Sequence, residues 1–321
     1  MTLSFDAIIL AAGKGTRMKS DIVKVAHNVA GKPVVHYVIE AVQRLQATKT
    51  YLIVGHQADR LQAMTPHANI TYVSQLEQLG TGHAVMQVIP HINDQSADHI
   101  IILAGDCPLI EDDTLKTLLT AHSDSGAAGT ILTTCLNEPA SYGRILHDKA
   151  KNVTAIREAK DCSEKELLIK EINSGVYCFK RDLLISALSK ITTNNKQKEY
   201  YLTDVIQILK DEGEFIRSYC TPNPDEVIGI NTRMDLAKCN QVLYQKNNHI
   251  HMVNGVSIID PTNTYIESDV TIGQDTIINP GTIITGTTTI GSGCTIGANS
   301  VITNATVADN TDVSPLSNLT K

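Results

Sequence analysis

The chain of 321 residues has no tryptophan and only 3 phenylalanines. Its 7 cysteines are scattered, odd in number, and include no Cys-x-x-Cys pair. A disulfide framework or zinc knuckle is therefore excluded, and a reducing, cytoplasmic setting is expected. Positive charge is not in excess: 27 Lys and Arg stand against 34 Asp and Glu, and the net charge of −7 argues against a nucleic-acid partner. No apolar run approaches the roughly 20 residues of a membrane span. Met1 to Asp6 carries no basic segment, and the apolar stretch Ala7–Ala12 stops at Gly13, too short for a secretory signal. Charged residues make up 19% and hydrophobic ones 42%, which excludes disorder as the main state. What is left is globular, long enough for about two domains at roughly 150 residues each. Abundant Ile, Val and Thr point to a strand-rich interior.

The first two-thirds of the chain alternates strands with helices. Asp6–Leu10 is a short apolar run, as in a buried parallel strand. Val35, Val38, Ile39, Val42 and Leu45 recur at helical spacing. Thr50–Val54, Ile70–Val73 and His99–Leu103 predict further strands, with a helix through Ala84, Val85, Val88 and Ile89. Gly129–Cys135 and Gly175–Phe179 add strands to the same sheet or to an insert, and Asp235–Tyr244 reads as a helix leaving the domain. This order predicts an α/β, Rossmann-like domain with a mixed, mostly parallel sheet covered on both faces.

The last seventy residues change character. Ile266, Ile272, Ile278, Ile284, Ile290, Ile296 and Ile302 fall six residues apart. Four positions after each of the last six stands a small residue: Thr276, Thr282, Thr288, Cys294, Ser300 and Thr306. Glycine follows isoleucine at Gly273, Gly291 and Gly297. A period of six is that of a parallel β-helix, each hexad forming one short side of a triangular coil with its isoleucine inward. The seven isoleucines cover a little over two coils, and the pattern fades at Ala308 and Ser314. A short solenoid with an uncapped last coil is expected.

Directly after the first strand comes Leu10-Ala11-Ala12-Gly13-Lys14-Gly15-Thr16-Arg17-Met18. Small residues let a ligand approach the backbone, whose N–H groups can cradle phosphate. The loop has neither Walker A spacing nor the third glycine of a dinucleotide fingerprint. Arg17 and Lys24 place two cations beside this cradle, which suits a nucleoside triphosphate.

This string, with Lys24 beyond it, resembles the signature of sugar-nucleotide pyrophosphorylases, which join a nucleoside triphosphate to a sugar 1-phosphate. Glu77-Gln78-Leu79-Gly80-Thr81-Gly82-His83-Ala84, Gly105-Asp106-Cys107-Pro108-Leu109, Tyr142-Gly143-Arg144-Ile145, Glu199-Tyr200-Tyr201-Leu202-Thr203-Asp204 and Gly229-Ile230-Asn231 follow in order. With the hexapeptide tail they resemble the bacterial bifunctional N-acetylglucosamine-1-phosphate uridyltransferase / glucosamine-1-phosphate acetyltransferase family. The resemblance implies a nucleotidyltransferase domain over residues 1–230, a linker helix over 231–250, and part of a left-handed β-helix over 251–321. It implies the synthesis of UDP-N-acetylglucosamine, a cell-wall precursor, from UTP and N-acetylglucosamine 1-phosphate. It assigns the uridine site to Leu10, Ala11, Ala12, Gly13, Gln75, Gly80 and Thr81, and the triphosphate to Arg17 and Lys24. The sugar pocket would be Gly143, Glu158, Asn173, Tyr201 and Thr203. Asp106, at the end of a strand where open α/β sheets bind ligands, would hold Mg²⁺ together with Asn231. A carboxylate beside phosphates is repulsive unless a cation intervenes, and Mg²⁺ takes few protein oxygens with phosphate and water.

The chain departs from the family pattern at Val23, where proline often precedes the lysine, at Ala104, where an aromatic often precedes Gly-Asp, and at Lys198, where glycine is usual. His83 reads as packing at a helix start and Cys107 as structural. The same motifs leave room for glucose 1-phosphate or dTTP as substrates, or for a catalytically silent regulatory subunit; the presence of Arg17, Lys24, Asp106 and Asn231 favours activity. No acetyltransferase activity is expected, because in the family that site is built from later coils and neighbouring subunits. A weak homotrimer through the β-helix is expected as well.

Overall fold

The computed structural model describes residues 3–66 and 69–321. The chain divides into two compact units, Met1–Ala26 with Val34–Asn231, and His27–Pro33 with Thr232–Lys321. Among the described residues no helix is long and apolar enough to cross a membrane.

The first unit is built on one nine-stranded sheet. Its strands are β1 (Phe5–Ala11), β2 (Thr50–Val54), β3 (Ile70–Ser74), β4 (His99–Ala104), β5 (Gly129–Cys135), β6 (Arg144–His147), β7 (Val153–Arg157), β8 (Glu171–Lys180) and β9 (Ile216–Cys220). Seven run in the order β9-β5-β8-β4-β1-β2-β3, with the β6–β7 hairpin beside β8. The strands from β4 to β3 are parallel, whereas β8 is antiparallel to both β4 and β5, which makes the sheet mixed. Successive residues of β1 serve opposite faces. Ala7, Ile9 and Ala11 enter one core cluster, with Val35, Val38, Leu115 and Leu118 of the helices Val34–Arg44 and Asp112–Ser125. Ile8 enters the other, with Val85, Leu184, Val205 and Leu209. A sheet buried on both faces explains why its parallel strands read as continuous apolar runs. Gly129–Cys135 and Gly175–Phe179 join this sheet rather than an insert.

The loops after β1 and β4 and the start of β8 share one edge of the sheet. Tyr177 pairs with Ile102, so Gly175 lies level with Ala104 and residues 173–174 lie past it. There β8 is interrupted by a register shift between Asn173 and Val176.

In the second unit, the helix Arg233–Val253 starts at a capping box in which Thr232 and Asp235 bond reciprocally. The helix expected over 231–250 runs from Arg233 to Val253. The buried Asn248 amide donates to the carbonyls of Pro261 and Thr264 at 2.9 and 2.8 Å, and Asn247 to that of Ile266 at 2.9 Å. These bonds fasten the helix to the first coil, so it belongs with the solenoid. Three parallel ladders follow. Their inward rungs are Ile258–Ile278–Ile296–Val313, Ile266–Ile284–Ile302–Leu319 and Ile272–Ile290–Val307. Thr276, Thr282, Thr288 and Ser300 are fully buried, with hydroxyls turned to backbone carbonyls. The repeat does not fade at Ala308. One residue is dropped between Ile302 and Val307, and the period of six resumes through Val313 and Leu319. Residues 312–313 and 318–320 are rungs of the solenoid.

Candidate functional site

A cavity of about 370 Å³ opens beside the loops that follow β1 and β4. It is lined by Leu10, Ala11, Ala12, Gly13, Lys24, Val25, Gln75, Gln78, Gly80, Thr81, Ala84, Ala104, Asp106 and Glu199. Every residue assigned to the uridine site therefore faces one space, together with Lys24 and Asp106. At Gly13 an added Cβ would meet nothing within 4 Å, so packing does not demand glycine there. What its absent side chain leaves open is the cavity. Gly80 is constrained by the fold itself: its φ is 113°, and a Cβ would lie 2.5 Å from the Tyr200 carbonyl oxygen.

That contact belongs to a seam holding the two cavity walls together. Tyr200 N donates to Leu79 O at 2.8 Å, Gly82 N to Tyr200 O at 2.8 Å, and Leu202 N to Thr81 Oγ1 at 3.1 Å. Gln75 is buried, and its amide nitrogen lies 3.0 Å from Gly80 O and 3.1 Å from His83 Nδ1. His83 thus orients Gln75 besides packing near Tyr200. Gln78 and Glu199, which were not singled out from the sequence, also line the cavity, and Gln78 Nε2 donates to Ala12 O at 2.6 Å. Their only signal was membership of the strings around Gly80 and Tyr200.

Within this lining Lys24 Nζ is ion-paired with Asp106 Oδ2, each side chain 15% exposed, and donates to Asn231 Oδ1 at 3.1 Å. Arg17, exposed on its loop, donates to the same Asn231 oxygen at 2.9 Å. The backbone fixes this meeting: Ile230 N donates to Asp106 O at 2.9 Å, and Gly229 leaves room for the Asp106 carboxylate. Cys107 is buried beside it, its thiol 3.6 Å from Asp106 Oδ1. Arg17, Lys24, Asp106 and Asn231 thus form one cluster although Arg17 and Asn231 do not line the cavity.

Gly143, Glu158, Asn173, Tyr201 and Thr203 form a second cluster. Asn173 N donates to Gly143 O at 2.9 Å, and its side-chain amide to Tyr177 OH at 2.7 Å. Thr203 Oγ1 donates to Glu158 Oε1 at 3.3 Å. Tyr201 is buried, its hydroxyl 3.3 Å from Asp161 Oδ2. Burial raises the Glu158 carboxyl above its ordinary range, and the carboxylates of Asp161, Asp204 and Glu199 push it the same way, while the Thr203 bond opposes them. The Tyr201 phenol is raised by the same combination of burial and neighbouring carboxylates. The two clusters adjoin where a Cβ on Gly175 would sit 3.7 Å from Ala104 and where Tyr201 follows the seam residue Tyr200.

The nucleotidyl transferase family pattern matches residues 6–223, and the pattern described as bacterial transferase hexapeptide (six repeats) matches residues 269–304. The bifunctional protein GlmU of Geobacillus thermodenitrificans is 46% identical over 268 residues, 84% of this chain and 58% of that protein. The bifunctional protein GlmU of Clostridioides difficile is 46% identical over 271 residues, with the same coverage. The chain thus spans just over half the length of these relatives. A crystal structure of a UDP-glucose pyrophosphorylase complexed with UDP-glucose shares the fold, with a TM-score of 0.62 at 16% identity, over 76% of this chain and 99% of that one.

Proposed function

For a chain that belongs to the nucleotidyl transferase family, we propose the reaction of UTP with N-acetylglucosamine 1-phosphate to give UDP-N-acetylglucosamine and pyrophosphate. The observation that carries this reading is the single cavity into which a small-residue loop, a buried glutamine amide, a lysine and an aspartate all project. Gln75 is the buried amide there, and with its nitrogen engaged by Gly80 O and His83 Nδ1 its oxygen is the group left to accept from the N–H of uracil. The adjoining cluster offers hydroxyl, amide and carboxylate groups to a sugar carrying an acetamido group. Glu158 accepts from sugar hydroxyls, and Asn173 bridges hydroxyl and acetamido oxygen.

A sugar-phosphate oxygen attacks the α-phosphorus in line, a new P–O bond forms, and the α–β bridging oxygen leaves with pyrophosphate. The attacking oxygen is ionised near neutral pH, so no general base is required. Catalysis is then positioning and charge neutralisation. Arg17 and Lys24 neutralise the triphosphate, and Gln75, Gly80 and Thr81 fix the nucleoside.

The site suits Mg²⁺. Asp106 Oδ2 and Asn231 Oδ1 already converge on a positive charge, the Lys24 ammonium. Both are hard oxygen donors, and two protein oxygens completed by phosphate and water are the usual Mg²⁺ arrangement. When bound, the ion would neutralise phosphate charge. Among the described residues no three His, Cys, Asp or Glu side chains form a metal cage, so Asn231 is needed as the partner of Asp106.

The reading carries three further proposals. The first is that the 321 residues transfer no acetyl group from acetyl-CoA to glucosamine 1-phosphate; detectable transfer by the pure protein would refute this. It works in the cytoplasm, which suits seven scattered cysteines without a Cys-x-x-Cys pair. It associates weakly as a homotrimer through the β-helix. The main proposal is tested by pyrophosphate release from UTP or dTTP paired with N-acetylglucosamine 1-phosphate or glucose 1-phosphate. The first of each pair should give the largest kcat/KM, and a preference for dTTP or glucose 1-phosphate would replace the assignment.

A further inference from the structure

The position of Lys24 rests on a segment with little structure of its own. Residues 20–23 belong to no helix or strand, and Lys24 begins a single 3-10 turn over Lys24–Ala26. Its ammonium is held at the tip by Asp106 and Asn231, but these are the groups proposed to take a metal ion. Something else must hold the stem of the side chain.

We infer that Gln57 is a positioning residue for Lys24, gripping Asp21 and Val23 through both ends of its side-chain amide. Gln57 Oε1 accepts from Val23 N at 3.4 Å, and Gln57 Nε2 donates to Asp21 O. The amide of glutamine is a peptide group without its chain, and here it pairs with the backbone as a neighbouring strand would. Gln57 precedes the helix Ala58–Met64 with φ 64° and ψ 34°, a left-handed conformation uncommon for a residue other than glycine. Glycine would suit that backbone better, so the retained side chain is spent on the two bonds. The same turn also touches the phosphate loop, since a Cβ on Gly55 would sit 2.7 Å from Ala12 O. One turn after β2 therefore references both the backbone at Ala12 and the segment that delivers Lys24. Val23 gives the pairing its purpose: unlike proline it carries an N–H and a free φ, and Gln57 uses the first and restrains the second.

This inference rests on the uridylyltransferase reading for its kinetic part and on the fold alone for its structural part, and the test separates them. Gln57→Gly removes the amide while relieving the left-handed backbone, so the variant keeps its fold; Gln57→Ala serves as a second variant. Hydrogen exchange at the Val23 amide should become faster in both. The kcat/KM for UTP should fall by about 10–100-fold, since misplacing a group by an ångström can cost that much, while the KM for the sugar phosphate stays unchanged. In a Lys24→Ala background, Gln57→Gly should cost nothing further, because it acts through that lysine. Unchanged exchange, faster exchange with unaltered UTP kinetics, or a full additional loss in the Lys24→Ala background would each overturn the assignment. A wild-type protein inert towards UTP would instead sink the uridylyltransferase reading, and the Val23 amide would still decide whether the grip exists.

Discussion

Asp106 and Asn231 differ in what replacing them removes. Asp106→Asn keeps the shape and one oxygen but loses the charge proposed to hold a cation, and the rate should fall by about 10²–10³. Asn231→Ala should be milder, because water can replace a neutral donor. If Asp106 only organised its loop, Asp106→Asn would lower the melting temperature and leave the Mg²⁺ demand unchanged. Lys198 explains itself through its backbone. Its φ is 56°, a left-handed conformation that costs a lysine about 1–2 kcal/mol. Glycine at this position, usual in the family it resembles, would avoid that cost. Lys198→Gly should therefore raise the melting temperature by roughly 2–4 °C, and a fall would contradict this account. Glu158 carries a pH dependence. Its carboxyl is held above the ordinary range, chiefly by burial, and only its ionised form offers both oxygens to sugar hydroxyls. The KM for sugar phosphate should rise as the pH falls through that raised value, at a higher pH than an exposed carboxylate would give. Glu158→Gln should flatten the profile.

At the scale of elements, the helix Asp112–Ser125 stores an acid-sensitive contact against β5. His122 is 1% exposed, with its ring 2.9 Å from Thr130 Oγ1 and 3.1 Å from His99. Burial first, then the charges of His99 and Lys180, pushes its pKa from 6.5 to about 4. Between these values the unfolded chain binds the proton that the folded one refuses, so stability is lost as the pH falls. The loss is about 1.4 kcal/mol per pH unit and roughly 3 kcal/mol in all. Denaturant titrations at descending pH should show this slope, and His122→Gln should reduce it; an equal slope in the variant would remove His122 as the cause. In the solenoid, each coil lies on the one before. A Cβ on Gly291 would sit 2.6 Å from Asp309 N in the next coil, which accounts for glycine after isoleucine at that point of the hexad. Gly291→Ala should cost the β-helix about 1–3 kcal/mol, read from its denaturant midpoint.

These elements differed in how openly the sequence announced them. Thr50–Val54 was legible to the residue because a strand buried on both faces is an unbroken apolar run. The hairpin β6–β7 was not, since Arg144, Arg157 and the five exposed residues 148–152 between its strands break any alternation. The solenoid's missing residue between Ile302 and Val307 was hidden for a different reason: a fixed period counts positions, whereas coils stack by register and absorb a shortened corner. The glycine loop and the carboxylate were visible as residue types, and their order along the chain named them. Gln57 was invisible, because its role lies in two backbone bonds to a segment 34 residues away.

At the scale of the molecule, the β-helix is expected to do more than lengthen the chain. On one of its ladders Tyr265 and Ile283 are 40% and 37% exposed, the Tyr265 ring also packing edge-on against Tyr244. Stacked outward apolar side chains favour association of copies. Sedimentation should find a trimer that dissociates on dilution; a strict monomer at all concentrations would refute the trimer, and a tight one at all concentrations would refute its weakness.

Uridylyl transfer is tested by pyrophosphate release by the purified chain from UTP and N-acetylglucosamine 1-phosphate, followed across a Mg²⁺ titration in parallel with Asp106→Asn. Turnover should need both substrates, rise with Mg²⁺, and collapse in the variant without loss of fold. Normal turnover and normal metal demand in Asp106→Asn, or none in the wild type, would contradict this.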